Sequence, residues 1–94
     1  MTTIILHNPH DAASRKIIED ALKDDQNIMV IDWYNQEERE KYLKLGGTLV
    51  VSALPSVVVM PDKGKVDANK DIVRLPENWQ TAKQKSIEIE AKRK

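Results

Sequence analysis

Three short apolar runs rich in β-branched residues constrain the fold of this chain more than any other feature. They occupy residues 4–6, 28–31 and 57–59. Short continuous runs of this kind, bounded by turn-forming residues, are typical of strands covered on both faces. A helical pattern separates the first two runs, which predicts a parallel βαβ unit with a right-handed crossover.

The first helix has a clear start signal after a strand at residues 3–7. Asn8 is the expected N-cap, Pro9 suits the first helical position, and Asp11 lies where a capping box needs an acceptor. An apolar stripe then recurs at helical spacing: Ala13, Ile17, Ile18, Ala21 and Leu22. The second strand is expected at residues 28–31.

The second helix is predicted from Gln36 to about Leu45. Asn35 is its expected N-cap and Glu38 completes a second capping box. Gly46-Gly47 ends it.

The next strand begins after Pro55, because proline lacks the N–H donor that the interior of a sheet requires. Residues 61–64, Pro-Asp-Lys-Gly, are a turn signature and predict an antiparallel hairpin. Its returning strand is either 65–68 or 72–75. We favour pairing near Val66, with residues 67–71 as an irregular excursion.

A last helix is expected at about 77–92. Trp79, Ala82, Ser86 and either Ile89 or Ile87 share one of its faces, and the final residues are expected to fray. The predicted order is βαβαββα in a single α/β domain of residues 1–94. We expect a four-stranded mixed sheet of order 2-1-3-4, with the first and third helices on one face and the second on the other.

Two segments resemble known proteins of this topology. Residues 51–60, Val-Ser-Ala-Leu-Pro-Ser-Val-Val-Val-Met, followed by Gly64, resemble the thioredoxin and glutaredoxin stretch in which a cis-proline leads into an aliphatic strand. This resemblance implies a thioredoxin-like fold, a cis Leu54–Pro55 bond, and a sheet edge that takes an extended peptide by main-chain hydrogen bonds.

The second segment, residues 5–15, is similar to the opening of the arsenate reductases. There a strand runs into His-Asn-Pro, a catalytic cysteine and Ser-Arg; His7, Asn8, Pro9, Ser14 and Arg15 match, and Asp11 stands in the cysteine position. The chain contains no cysteine. A carboxylate has no redox couple, so thiol–disulfide chemistry is excluded.

The site predicted by these resemblances combines six residues: His10, Asp11, Arg15, Tyr34, Pro55 and Ser56. We expect a redox-inactive, non-catalytic interaction module that binds a protein or peptide partner beside Pro55. One alternative is a small hydrolase, transferase or anion-binding protein that uses Asp11, His10 and Arg15. Another is a structural subunit of an oligomer. Ordinary structural roles compete with each assignment, since an acidic residue in a first helical turn is common.

Other classes of ligand are not indicated. His7 and His10 do not have the spacing of metal ligands, and no glycine-rich phosphate loop is present, so we predict no metal and no cofactor. The formal net charge is +0, which gives no general attraction to nucleic acids or anionic membranes. We expect a cytoplasmic protein that is a monomer or a weak oligomer.

Overall fold

The structure is a computed structural model that describes residues 2–49, 51 and 53–93, with the side chain of residue 2 left out. Seven elements follow one another along the chain. They are β1 (Thr2–His7), α1 (Ala12–Asp24), β2 (Met29–Asp32), α2 (Gln36–Lys44), β3 (Ser56–Met60), β4 (Ile72–Arg74) and α3 (Trp79–Lys92). The predicted α/β class and element order are confirmed.

The four strands form one mixed sheet in the order β2-β1-β3-β4, as predicted. β1 runs parallel to β2, with Ile4 opposite Met29. It runs antiparallel to β3, with Leu6 opposite Ser56. β3 is buried along its whole length.

The sheet separates two apolar clusters, and the helices are distributed as expected. Residues of α1 and α3 share one cluster with the sheet, whereas α2 supplies Tyr42 to the other. Ile5 and Val57 belong to the first of these clusters, and Ile4 and Val58 to the second. This alternation is the two-residue period of a strand covered on both faces.

The start of α1 differs from the prediction. Asp11, not Asn8, is the N-cap, and its carboxylate accepts a hydrogen bond from the Ala13 N–H at 3.0 Å. Asn8 instead accepts from the His10 N–H at 3.0 Å, which closes a turn before the helix. Both residues suit either role, because their short side chains bond to backbone two residues ahead.

The buried stripe of α1 is also rotated from the predicted one. It consists of Ser14, Ile17 and Ala21. Ala13 and Leu22 are exposed. Small Ser14 is fully buried, which a stripe chosen by hydrophobicity alone does not include.

Asn35 caps α2 as predicted and accepts from the Glu37 and Glu38 N–H groups. The Glu38 carboxylate does not return to Asn35; it accepts from the Asp32 N–H at 3.4 Å. It therefore ties the helix to the end of β2 instead of completing a capping box.

The predicted pairing of β3 with a strand near Val66 was wrong. The strand that pairs with β3 is β4, at the alternative position of residues 72–75. The Val66 N–H donates to the Gly46 carbonyl at 2.8 Å, so this segment is held by the end of α2. The Val66 side chain is buried in the cluster around Tyr42. The hydrogen bond from Val66 to Gly46 and the burial of the Val66 side chain thus hold this segment away from a short hairpin with β3.

The end of α3 is anchored, not frayed up to residue 93. The Arg93 guanidinium donates to the Val59 carbonyl at 2.7 Å and to the Met60 carbonyl at 2.9 Å. It also pairs with Asp71 at 2.8 Å and with Glu90 at 3.1 Å. Of the two candidate isoleucines, Ile89 packs against the core and Ile87 is exposed.

Candidate functional site

A groove lies where β1 and β2 end and the chain approaches β3. Its volume is about 400 Å³. We call it the Leu54 groove, and its lining residues are Asn8, Trp33, Tyr34, Val51, Ala53 and Leu54. The carboxyl ends of parallel strands are a frequent position for ligand sites in α/β sheets.

One wall of the Leu54 groove is the turn between β2 and α2. The Trp33 N–H donates to the His7 carbonyl at 3.0 Å, which continues the parallel pairing beyond the strand. The Tyr34 N–H donates to the Asp32 carboxylate at 2.9 Å. The Arg39 guanidinium donates to the Trp33 carbonyl at 3.0 Å. The backbone that carries both aromatic residues is therefore fixed by three hydrogen bonds.

The two aromatic side chains differ in burial. Trp33 is half-buried, stands edge-on to Tyr42 with ring centroids 6.0 Å apart, and has the Arg39 guanidinium 5.9 Å from its ring centroid. Tyr34 is 64% exposed. A large aromatic ring in this position presents apolar area to solvent at the rim of a groove, which is typical of an interaction anchor.

The opposite wall is the segment that leads into β3. The Leu54–Pro55 peptide bond is cis. The Ser56 hydroxyl donates to the Ala53 carbonyl at 2.6 Å. The Pro55 carbonyl accepts from the Leu75 N–H at 3.1 Å. One of these hydrogen bonds lies within the segment, and the other joins the segment to the end of β4.

Leu54 differs from its neighbours in this wall. Its backbone N–H and carbonyl form no hydrogen bond with any residue that the structure describes. Its side chain is half-buried and packs against the cluster around Tyr42. Within the described residues, the Leu54 main chain therefore keeps a donor and an acceptor without a protein partner.

The six residues predicted for the site occupy three places. Tyr34 lines the Leu54 groove. Pro55 and Ser56 are buried behind its wall. His10, Asp11 and Arg15 belong to the turn and first residues of α1, outside the lining. Their assignment to a binding site stays a prediction.

The Asp11 carboxylate is engaged by its own helix. Beyond the Ala13 N–H, it accepts from the Ser14 hydroxyl at 3.4 Å. Arg15 and His10 are exposed, whereas Asp11 is half-buried. Among the described residues, no group of three or more His, Cys, Asp or Glu side chains is placed to hold a metal ion.

Sequence reasoning missed most of the lining. Trp33, Val51 and Ala53 line the groove but are not among the six residues that the sequence predicts for the site. The signal for Trp33 and Tyr34 was available, because both follow a strand of the βαβ unit directly. The approach of residues 51–54 to that turn depends on the path of the whole α2–β3 connection, and no local pattern encodes it.

Two perturbed groups lie away from the groove lining. Hydrogen bonds to the Asp24 carboxylate lower its pKa. The larger effect comes from the Lys83 ammonium and the smaller from the Trp79 indole N–H, which lies 3.1 Å away. Burial raises the pKa of Tyr42, and the Thr48 backbone partly opposes this rise. Both effects follow from the packing of helices on the sheet and give no sign of acid–base chemistry at the groove.

Comparison with known proteins adds no assignment. No family model, curated protein or solved structure matches the chain. Among the described residues, no helix combines the length and apolar character that crossing a bilayer requires.

Proposed function

We propose that this protein is a redox-inactive, thioredoxin-like interaction module that binds an extended peptide segment of a partner protein in the Leu54 groove. The observation that carries the proposal is that the Leu54 backbone has no hydrogen bond to any described residue and lines the same groove as exposed Tyr34. An extended peptide bonds to such a backbone through its own N–H and carbonyl groups, and its side chains enter neighbouring pockets.

The composition of the groove supports a peptide over a small charged substrate. Trp33, Tyr34, Val51 and Leu54 supply apolar surface, and Asn8 supplies a polar group. The exposed surface of the lining is more polar than apolar, and none of the lining residues carries a charge. The groove therefore suits the main chain and uncharged side chains of a peptide better than a small charged molecule.

The geometry gives less support to hydrolysis or group transfer. The Ser56 hydroxyl is directed to a backbone carbonyl, and the Asp11 carboxylate is directed to its own helix. A nucleophile needs a base within hydrogen-bond reach, and a base needs a proton to remove. Neither side chain is in that relation to His10 in this structure.

Amide chemical-shift mapping with a capped library of extended octapeptides tests the proposal. We expect shifts at residues 33, 34, 53 and 54. Replacement of Tyr34 by serine should weaken binding about tenfold, as the loss of an aromatic anchor does. The matched control is Ile87→Ser, which removes an exposed apolar side chain from α3.

Three results would contradict the proposal. One is an unchanged spectrum with every peptide pool. Another is equal weakening by Tyr34→Ser and Ile87→Ser. The third is a set of shifts confined to residues 10–15 on addition of inorganic phosphate, lost in Asp11→Ala, which would favour the anion-binding or hydrolase alternative.

A further inference from the structure

The outer edge of β4 is a second feature that a partner can use, away from the Leu54 groove. β4 is the last strand of the sheet, and no strand within the described residues covers its far side. An uncovered edge presents backbone donors and acceptors in a row, ready to pair with another strand.

The hydrogen-bond register shows which backbone groups face outward. The Val59 N–H donates to the Asp71 carbonyl at 2.9 Å, so the backbone hydrogen-bonding groups of residue 71 point toward β3. In an antiparallel pair, residues alternate between facing the partner strand and facing away from it. Val73 therefore faces β3, while the N–H and carbonyl groups of Ile72 and Arg74 point to the open side.

A cleft accompanies this open edge. Its volume is about 310 Å³. We call it the β4 edge cleft: β4 forms one wall, and one stripe of α3 forms the other, namely Lys85, Glu88, Ile89 and Lys92. These positions recur at helical spacing, so the four side chains lie on one face of α3.

The charge of the cleft favours an acidic occupant. Lys85 and Lys92 are exposed and sit on either side of Glu88. Seven residues along a helix place them about 10.5 Å apart. Ile89 packs against the core and provides an apolar floor between them. A strand advances about 3.4 Å per residue, so two carboxylates at alternate positions come within reach of the long lysine side chains.

We propose that the β4 edge cleft binds an acidic extended segment of a partner protein, which pairs with Ile72 and Arg74 as a fifth strand and directs carboxylates to Lys85 and Lys92. The segment is expected to alternate apolar and acidic residues. This surface is distinct from the Leu54 groove, and either can be occupied without the other.

Titration of the isotope-labelled protein with a capped octapeptide of alternating valine and glutamate tests the proposal. We expect amide shifts centred on residues 72–74 and 85–92. The matched peptide with lysine in place of glutamate should bind at least threefold more weakly, because two ion pairs become repulsions. A glutamate peptide with alternate N-methylated amides should lose binding, since it cannot pair with the edge.

Protein variants supply the second measurement. The double charge reversal Lys85→Glu with Lys92→Glu should weaken the glutamate peptide about tenfold. Its control is Lys41→Glu with Lys44→Glu, which makes the same change of charge on α2, across the sheet, and should leave affinity within twofold.

Four results with the peptides would overturn the proposal: no binding of the glutamate peptide, equal binding of the lysine peptide, full binding of the N-methylated peptide, or shifts confined to residues 33–34 and 53–54. The last result would leave the Leu54 groove as the peptide site. Sedimentation that shows self-association through β4, abolished by the charge reversal at 85 and 92, would also overturn it, because a second copy would then occupy the edge.

Discussion

Replacement of Arg93 by alanine should destabilise the fold strongly for a residue at the end of a helix. The guanidinium joins α3 to the Val59 and Met60 carbonyls at the end of the central strand β3 and to Asp71. The Asp71 side chain is only 10% exposed, so the variant leaves a nearly buried carboxylate without its cation. Leaving a buried charge unpaired is far more costly than losing a surface ion pair.

The magnitude follows from the exposure of the two partners. Loss of one member of a fully buried pair costs about 3–5 kcal/mol, and loss of an exposed pair about 0–1 kcal/mol. The Arg93 side chain is 24% exposed, so we expect a loss of about 2–3 kcal/mol in the free energy of unfolding. For a domain of this size that lowers Tm by about 10–20 °C.

Urea unfolding followed by tryptophan fluorescence and circular dichroism measures this loss. Lys92→Ala is the control, because it removes an exposed side chain one position earlier; a change within about 0.5 kcal/mol is expected. Arg93→Lys should be intermediate, since an ammonium cannot reproduce the forked geometry of the guanidinium. An Arg93→Ala protein as stable as Lys92→Ala would refute the reasoning.

Three further variants test local features. Gly47→Ala should cost about 1–3 kcal/mol, because the added Cβ would lie 2.5 Å from ring atoms of buried Tyr42; the urea midpoint measures it. Asp11→Ala should cost about 1 kcal/mol as the loss of an N-cap, read from the same midpoint. Hydrogen bonding by Lys83 lowers the pKa of Asp24 in the folded state below its usual value of 3.8, so this carboxylate contributes stability above that pH and loses it as the pH falls through the folded-state pKa. Asp24→Asn should therefore flatten the acid limb of a stability–pH curve.

Each of these variants has a matched control. Gly64→Ala meets no atom within 4 Å but has a φ of +86°, so it should cost only the backbone strain of about 1 kcal/mol. Asn8→Ala should cost less than Asp11→Ala, and the reverse order would restore Asn8 as the cap. Lys83→Ala should flatten the acid limb as Asp24→Asn does, whereas Lys85→Ala, which removes an exposed lysine from the same helix, should not; equal effects of the two lysine variants would contradict the assigned role of Lys83.

The topology could be predicted from the sequence because short-range signals agree with one another. The apolar runs mark β1, β2 and β3, and Asn35 and Gly46 mark the limits of α2. With a right-handed crossover and an antiparallel hairpin, few sheet orders remain. Agreement among local signals of this kind is what makes a topology predictable.

The errors occur where two residues compete for one role and tertiary contact decides. Asn8 and Asp11 are both good caps, and α1 begins after the second of them. Val66 is a good strand residue, but the backbone of Gly46 and the cluster around Tyr42 bind its segment first. These contacts join residues about twenty or more positions apart, and a local pattern does not record them.

The candidate site was predicted in part for the same reason. Tyr34 lines the Leu54 groove, and its assignment to a binding site stays a prediction. The sequence indicates Leu54 only as the residue before Pro55, because the lack of a backbone hydrogen bond to any described residue depends on the three-dimensional path of the chain. In the sequence, Lys85, Glu88, Ile89 and Lys92 are typical of a solvated helix end. They line a cleft because β4 lies beside this part of α3.

The fixed backbone of the Trp33–Tyr34 turn has a consequence for the rate and selectivity of the proposed peptide binding. The turn is held at the Asp32 carboxylate and the His7 carbonyl before any ligand arrives. In that proposal, binding of the peptide costs little free energy for ordering the Trp33–Tyr34 turn, and the association rate is set by diffusion and orientation. A rigid turn also adjusts little to the shape of a ligand. Peptides that differ in the size of one side chain at this position should therefore differ strongly in residence time.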